Sequence, residues 1–506
     1  VDDALSDEPE RLPDMTTETA ARRGPSAESV YGHRWLILGV VLAAECMDLI
    51  DSTVVNVAAP PIARDFHASS ATLEWILSGY PLAISVGLIL GGRLGDLYGR
   101  RTMFLIGTSG FVLASTLCGL APNSSVLITA RLIQGGFSAM MLPQGFGVLR
   151  ETFPEDERQK AFALFGPVIG LSAVFGPLIG GALVDWDLFG SSWRLVFLVN
   201  VPIGVAAVAA GLRLLPHSVH DRSIRLDLIG SALMALFAVL LVYPLIEGRE
   251  HGWPWWTYAS MALGVVMLVL FGWYQRYRDR TDRDPLVTPS VFSHRGYTSG
   301  LIFATLFFAG LGGVLLCTTL FLQLGQQYTP IHAAACTVPL SVGLVVGSGL
   351  SGGVLGPKFG RLTIQAGVLV CGFGWGLVAI AARSHHELGF VGLMPGLFVA
   401  GLGLGLTVAP MFDIVLAAVT DRETGSASGV LNAAQQLATS VGIAVFGTVF
   451  FDAIAGGDFH SGLTRAMVVE VITMVALLII SPLLPRLARE PQPAGTGASV
   501  AKDDRV

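Results

Sequence analysis

"GGRLGDLYGRR", residues 91–101, sets Arg93, Asp96, Arg100 and Arg101 between two long apolar stretches. A second segment, "GGVLGPKFGRL" at 352–362, repeats its frame. Aligning Gly91 with Gly352 also aligns Gly92 with Gly353, Leu94 with Leu355, Gly95 with Gly356, Gly99 with Gly360 and Arg100 with Arg361. Only the first segment keeps an acid, because Pro357 stands where Asp96 would fall.

The surroundings of both segments are those of a membrane protein. Of 506 residues 52% are hydrophobic and 13% charged, with a mean hydropathy of +0.65, whereas a soluble chain carries about 25% charged residues. Runs of about 20 apolar residues, enough to cross ~30 Å of hydrocarbon, fall near 35–58, 70–91, 102–121, 125–148, 160–183, 194–214 and 227–246. Others fall near 256–275, 298–323, 333–356, 362–382, 389–415, 428–452 and 466–486. That makes fourteen, so both termini share a side. Placing them in the cytoplasm leaves the outside joints with only Arg64, Arg194, Arg249, Arg383 and Arg465. The inside joints then collect Arg93, Arg100, Arg101, Arg150, Arg158, Lys160, Arg213, Arg222, Arg225, Arg276, Arg278, Arg280, Arg283, Arg295, Lys358, Arg361 and Arg422, the asymmetry that orients membrane proteins.

On this map the two marked segments join spans two and three and spans ten and eleven. Two six-helix halves in parallel repeat, with spans seven and eight inserted, produce that register, and parallel repeats are a transporter architecture. The expected division is a cytoplasmic disordered tail at 1–34, an N-terminal bundle at 35–215 and an inserted pair with linkers at 216–297. A C-terminal bundle at 298–488 and a tail at 489–506 complete it. The first thirty residues lack the apolar core of a signal peptide.

An ionisable group in mid-membrane costs at least ~2.5–3.5 kcal/mol. The first span, "LAAECMDLIDSTVVNVAAPP", nevertheless holds Glu45, Asp48 and Asp51, and Asp48, Ser52 and Asn56 follow one another at helical spacing as a polar stripe. A carboxyl balanced between burial and a nearby arginine can take and release a proton near neutral pH; a hydrogen bond to a neighbouring helix is the plainer reading. Arg131 in the fourth span needs a buried acid or a water-filled cavity. Asp413 is the ionisable candidate of the second half, with a place near the interface as the alternative. Glu74, Asp452 and Glu470 read as interfacial. In the fifth span, "GPVIGLSAVFGPLIGG", the pairs Gly166–Gly170 and Gly176–Gly180 permit close helix approach, and Pro167 and Pro177 loosen the helix.

Several functions are excluded or weakened. No GxxxxGK[ST] is present and none of the three lysines follows a glycine, so no nucleotide-driven pump is expected. There is no HExxH, and "GLSGG" at 349–353 lies in a span, not in the strand-to-helix turn of a hydrolase. Cys46, Cys118, Cys317, Cys336 and Cys371 sit in apolar runs without a CxxC pair and read as packing residues. No enzyme activity, metal, cofactor or nucleic acid is expected.

These motifs resemble the major facilitator superfamily, specifically its fourteen-spanner drug–proton antiporter branch. Gly92, Leu94, Asp96, Gly99, Arg100 and Arg101 match the superfamily's cytoplasmic loop motif. Asp51, Thr53, Val55, Asn56, Val57, Ala58 and Pro60 match the branch's first-helix motif. Arg131, Gln134 and Gly135 match its fourth-helix motif, and Gly176, Pro177, Gly180 and Gly181 the antiporters' fifth. "WRLVFLVNVPIG" and "GSASGVLNAAQQLATSVGIAVFG" also look like segments of this branch. Ser172, Phe137, Gln435 and Ala438 depart from the pattern, and Asp48 is an extra acid.

The resemblance implies an all-α fold of two six-helix bundles around a cavity in the cell membrane, exporting an amphipathic compound against inward proton flow. It makes Asp51 (or Asp48) the proton-coupling acid and Arg131 its regulator. Gly92, Asp96, Gly99, Arg100 and Arg101 become a gating latch, and Gly176, Pro177, Gly180 and Gly181 a hinge helix. Asn56, Gln134, Asp413, Asn432 and Gln435 are candidates to line the substrate cavity. The alternatives are a metabolite uniporter or symporter, and a membrane sensor that no longer transports.

Overall fold

The computed structural model describes residues 27–216, 226–281, 283–383, 390–420 and 423–487. Most of the tail expected at 1–34, the tail at 489–506, and Arg222, Arg225 and Arg422 lie outside them. The fold is a bundle of long helices: α1 (Ala27–Asp65), α2 (Ser70–Tyr98), α3 (Arg100–Gly119), α4 (Ser124–Thr152), α5 (Phe165–Trp186), α6 (Asn200–Leu214), α7 (Leu228–Glu250) and α8 (Trp255–Arg280). It continues with α9 (Arg295–Leu320), α10 (Pro330–Leu350), α11 (Arg361–Arg383), α12 (Phe390–Ala417), α13 (Thr424–Ala453) and α14 (Phe459–Ile480). Thirteen of the spans are long and apolar enough to cross a membrane. The remaining one, α1, is 39 residues long and carries Glu45, Asp48 and Asp51.

Short polar residues start several of these helices by accepting bonds from otherwise orphaned backbone N–H groups. Ser69 accepts from Thr72 N, Asn123 from Val126 N, Asp227 from Gly230 N, Thr329 from His332 N, and Asp458 from His460 N and Ser461 N. The last of these corrects a boundary. The final span begins at Phe459, not 466, so Glu470 stands at its middle and not near its start.

The packing repeats. In the first half α2 lies on α4, α3 on α4, and α1 on α5 and α6, with α3 also against α6. In the second half α10 lies on α12, α11 on α12, and α9 on α13 and α14, with α11 against α14. Each pair maps onto its counterpart when α1–α6 are matched to α9–α14 in order. The halves meet through α2 on α13 and α5 on α10, which exchange under the same matching. The inserted α7 and α8 pack together, and α7 rests on both α2 and α13, covering one seam.

The 91–101 segment is not a loop. Gly91 to Tyr98 complete α2, and the chain reverses at Gly99 alone, whose φ of 91° is open to glycine without steric cost. The copy does likewise at Gly360, with φ 49°, after a short helix Gly356–Phe359. Arg361 Nη1 donates to Pro482 O and Leu484 O at 2.7 and 3.0 Å, just past α14. Arg101 Nη2 donates to Leu212 O near the end of α6 at 2.6 Å. By role, therefore, Arg361 corresponds to Arg101, although the glycine alignment pairs it with Arg100.

The halves are sealed at the face opposite these arginines. There Gln323 Nε2 donates to Val57 O (2.8 Å), Ile331 N to Asp185 Oδ2 (3.0 Å) and Ser440 Oγ to Ser78 O (3.1 Å). Towards the arginine-rich face Gly166 on α5, Gly349 at the end of α10, and Gly352 and Gly353 just past it have open space where a side chain would stand. Gly166 and Gly170 thus do not form the close-packed pair expected of them, although Gly170 does approach Val345.

Candidate functional site

Asp51 and Arg131 meet in the middle of the first half. Both are buried, and Arg131 Nη1 donates to Asp51 Oδ2 at 2.5 Å. The other carboxyl oxygen accepts from Gln134 Nε2 at 2.9 Å and from Asn200 Nδ2 at 2.8 Å. Gln134 Oε1 accepts in turn from Arg131 Nη1 at 2.8 Å. Asn200 also reaches Ser115 Oγ (3.1 Å), which donates to Phe197 O (2.9 Å). One acid on α1 therefore ties α4, α6 and, through Asn200, α3. A charge-assisted cluster of this kind offsets part of the cost of burying two charges. It is not complete: Arg131 Nε and Asn200 Oδ1 are buried without a hydrogen-bond partner.

Asp48 is a separate acid joined to the first. Its Oδ1 accepts from Tyr80 OH and from Ser138 Oγ. The Tyr80 ring lies under the Arg131 guanidinium, 4.2 Å from ring centre to carbon, a cation–π contact. Asp48, Tyr80, Arg131 and Asp51 form one continuous chain of contacts. The polar stripe expected along α1 is therefore split. Asp48 turns into the bundle, while Ser52 is exposed and Asn56 Nδ2 donates to Ser52 O at 3.1 Å.

The expected cavity residues divide too. Gln134 is fully buried in the acid cluster, so it does not line an open cavity; its amide is used by Asp51 and Arg131. Asn56 and Gln435 are partly exposed, and Asp413 and Asn432 exposed. The glycines expected to form the hinge lie in close helix contacts. A Cβ on Gly176 would stand 2.2 Å from Thr53 Oγ1, one on Gly180 2.8 Å from Val54 Cγ1, and one on Gly181 2.6 Å from Ile331 Cα. With Pro177 between them, they press α5 against the residues flanking Asp51 on one side and against α10 on the other.

At the arginine-rich face, Arg100 lies 3.4 Å from both Asp96 Oδ1 and Glu151 Oε1, linking α2, α3 and α4. Gly92 faces the Pro143 ring of α4. Outside the membrane spans, Glu423 accepts from Ser290 Oγ, from Thr420 N (3.1 Å) and from Thr420 Oγ1 (2.7 Å), and pairs with His294 at 3.1 Å. The hydrogen bonds from Ser290 and Thr420 hold its carboxyl down at about 2.

Tyr80, Ser115, Ser138 and Asn200 escape sequence reading because each also suits a helix interior on its own. Glu74 and Glu470, expected at interfaces, are both buried. Glu74 lies 3.9 Å from Arg249 of α7 and against Gly447 of α13. Asp452 is exposed, as expected.

A model of the Major Facilitator Superfamily matches residues 41–281 and again 226–443. The chain belongs to the major facilitator superfamily. It is 43% identical over 472 residues to a probable actinorhodin transporter of Streptomyces coelicolor, covering 91% of this chain and 82% of that one. It is 35% identical over 468 residues to a puromycin resistance protein of Streptomyces alboniger, covering 91% and 90%. These relatives bear out the likeness to the drug-exporting branch. Among solved structures, an auto-inhibited peptide transporter of the POT family superposes with a TM-score of 0.64 at 13% identity, covering 91% of this chain and 99% of that one. That likeness speaks to the fold. The chain is thus an integral membrane transporter of this superfamily.

Proposed function

We propose that this transporter exports a hydrophobic or cationic drug, or an antibiotic made by its own cell, in exchange for protons. The observation that carries the reading is the buried chain Asp48–Tyr80–Arg131–Asp51, an ionisable device in the middle of a membrane bundle. The names of its relatives, an antibiotic transporter and an antibiotic resistance protein, favour a compound of that class.

In this reading the arginine-rich face and both termini are cytoplasmic. The bundles 35–215 and 298–488 rock about a cavity between them, and 216–297 is an insertion. The described state is open to the cytoplasm, since the halves seal at the opposite face. Asn56, Asp413, Asn432 and Gln435 line the substrate path, where one carboxyl and three amides, with no lysine or arginine among them, suit a cationic or neutral amphipath. A proton reaching Asp51 dissolves its ion pair. Arg131 is then left to the Tyr80 ring and Gln134, and α1 is released from α4 and α6. Thr53 and Val54, against Gly176 and Gly180, pass that release to α5 and, through Gly181, to α10. The Asp96–Arg100–Glu151 brace is the cytoplasmic latch.

The test replaces Asp48 and Asp51 together by Asn and measures export of ethidium, a cationic amphipathic dye, from energised cells. The reading predicts loss of proton-driven export with the protein still in the membrane. Intact export would remove both acids from the mechanism.

A further inference from the structure

The matching of the halves turns the burial of Glu470 into a finding about the second bundle. In the first bundle, the triangle of α1, α3 and α6 holds Asp51, Ser115 and Asn200. The corresponding triangle of α9, α11 and α14 holds Gly310, Cys371 and Glu470. The carboxyl has moved from the first helix of the half to the last, and the first helix has a glycine to receive it. A Cβ on Gly310 would stand 2.2 Å from Glu470 Oε2 and be expelled. Glu470 is fully buried, and both its oxygens lack a hydrogen-bond partner.

Among the described residues no basic or amide side chain bonds it as Arg131 and Gln134 bond Asp51. The helices packed on α14 are α9, α11 and α13. α11 faces the carboxyl with the Cys371 thiol and α9 with Gly310. Neither α9 nor α13 forms an ion pair with it among the described residues, and Arg465 on α14 itself is exposed. α12, the counterpart of α4, carries no lysine, arginine, histidine, asparagine or glutamine between Phe390 and Ala417. A bare carboxylate in such a recess has no compensation for its lost hydration, whereas a carboxylic acid fits there at far lower cost.

We propose that Glu470 is a second proton-binding site, an acid that takes up and gives back a proton within the C-terminal bundle as Asp51 does in the N-terminal one. The idea rests on the proton-exchange reading for its place in transport, but not for its test. A small-residue recess around a carboxyl makes opening and closing of the α9–α14 contact the event that admits or strips the proton.

The experiment labels the purified full-length protein in liposomes with dicyclohexylcarbodiimide, an apolar reagent that modifies protonated carboxyls in apolar surroundings. Mass spectrometry of the Glu470 peptide gives the extent, from about pH 5 to about pH 9. Expected is labelling of Glu470 that falls roughly ten-fold as the pH rises, as one proton leaves one site. An infrared carboxylic-acid band should follow the same titration and be missing in Glu470→Gln. The wild-type labelling stands whether or not that variant folds. Absent labelling, or labelling equal at both ends of the range, overturns the proposal and makes Glu470 a fixed structural group. Failure of the proton-exchange reading looks different: Glu470 would still titrate, but the Asp48, Asp51 double variant would export normally.

Discussion

The two bundles share a plan and differ in what occupies it. In the first, one acid on α1 is held by Arg131, Gln134 and Asn200 from two other helices. In the second, the matching place on α9 is Gly310, which faces Glu470 of α14, and the Glu470 carboxyl has no hydrogen-bond partner among the described residues. Gly343 and Gly347 of α10 meet the backbone of α12, and Gly374 of α11 meets Ala400 N of α12. Such packing is common to both halves, since Gly91 of α2 and Gly135 of α4 likewise meet the backbone of the facing helix; what differs is the acid, held by a cluster of side chains in the first half and without one in the second. In the proposed mechanism the hydrogen-bonded switch lies in α1–α6, and Glu470 is the one buried carboxyl of α9–α14 among the described residues.

The largest effect should come from breaking the cluster on one side. Arg131→Ala strands Asp51 and should cost about 3–5 kcal/mol, read as a lower melting temperature in detergent; adding Asp51→Asn should restore most of it. If the single and double variants melt alike, the pair is not what holds α1 to α4. The second half should answer differently. Gly374→Ala places a Cβ 2.2 Å from Ala400 N and should destabilise by about 1–3 kcal/mol through overpacking, leaving the pH dependence of transport unchanged.

Smaller effects test the arginine-rich face. Asp96→Asn removes one partner of Arg100 and should slow transport, whereas Pro357→Ala, at the matching place, should leave it near the wild-type rate. Equal rates would end the idea of an asymmetric latch. The smallest effect belongs to Glu423. Its carboxyl is held near 2, below its ordinary value of 4.5, so its contribution is present above about 4.5 and is lost as pH falls towards 2. Melting curves at neutral and acid pH should converge for Glu423→Gln and wild type at the acid end and part at the neutral end, by a small amount for an ion pair this close to solvent.

Much of this plan is legible in the chain. Apolar runs give the spans, the glycine frame of 91–101 gives the repeat, and Arg131 in mid-membrane calls for a buried acid or a water-filled cavity, of which Asp51 supplies the first. Other parts are not. Ser115, Ser138 and Asn200 become partners only when α3, α4 and α6 converge, and nothing in their own spacing says so. Glu470 is misplaced because His460 and Arg465 make the start of α14 look polar, while Asp458 in fact caps the helix before them. The latch segment reads as a loop because its glycines suggest one, yet only Gly99 adopts a backbone that breaks the helix. Arg361 finds main-chain carbonyls at the end of α14, a partner no alignment of side chains can show.

The most direct test of the central account is ethidium transport in everted membrane vesicles by wild type and Asp51→Asn. It is measured once with an imposed pH gradient and once as exchange of labelled for unlabelled dye without one. The account predicts that the variant loses gradient-driven accumulation but keeps exchange, because binding and rocking survive while the coupling proton has no seat. Gradient-driven accumulation at the wild-type rate in Asp51→Asn would contradict it.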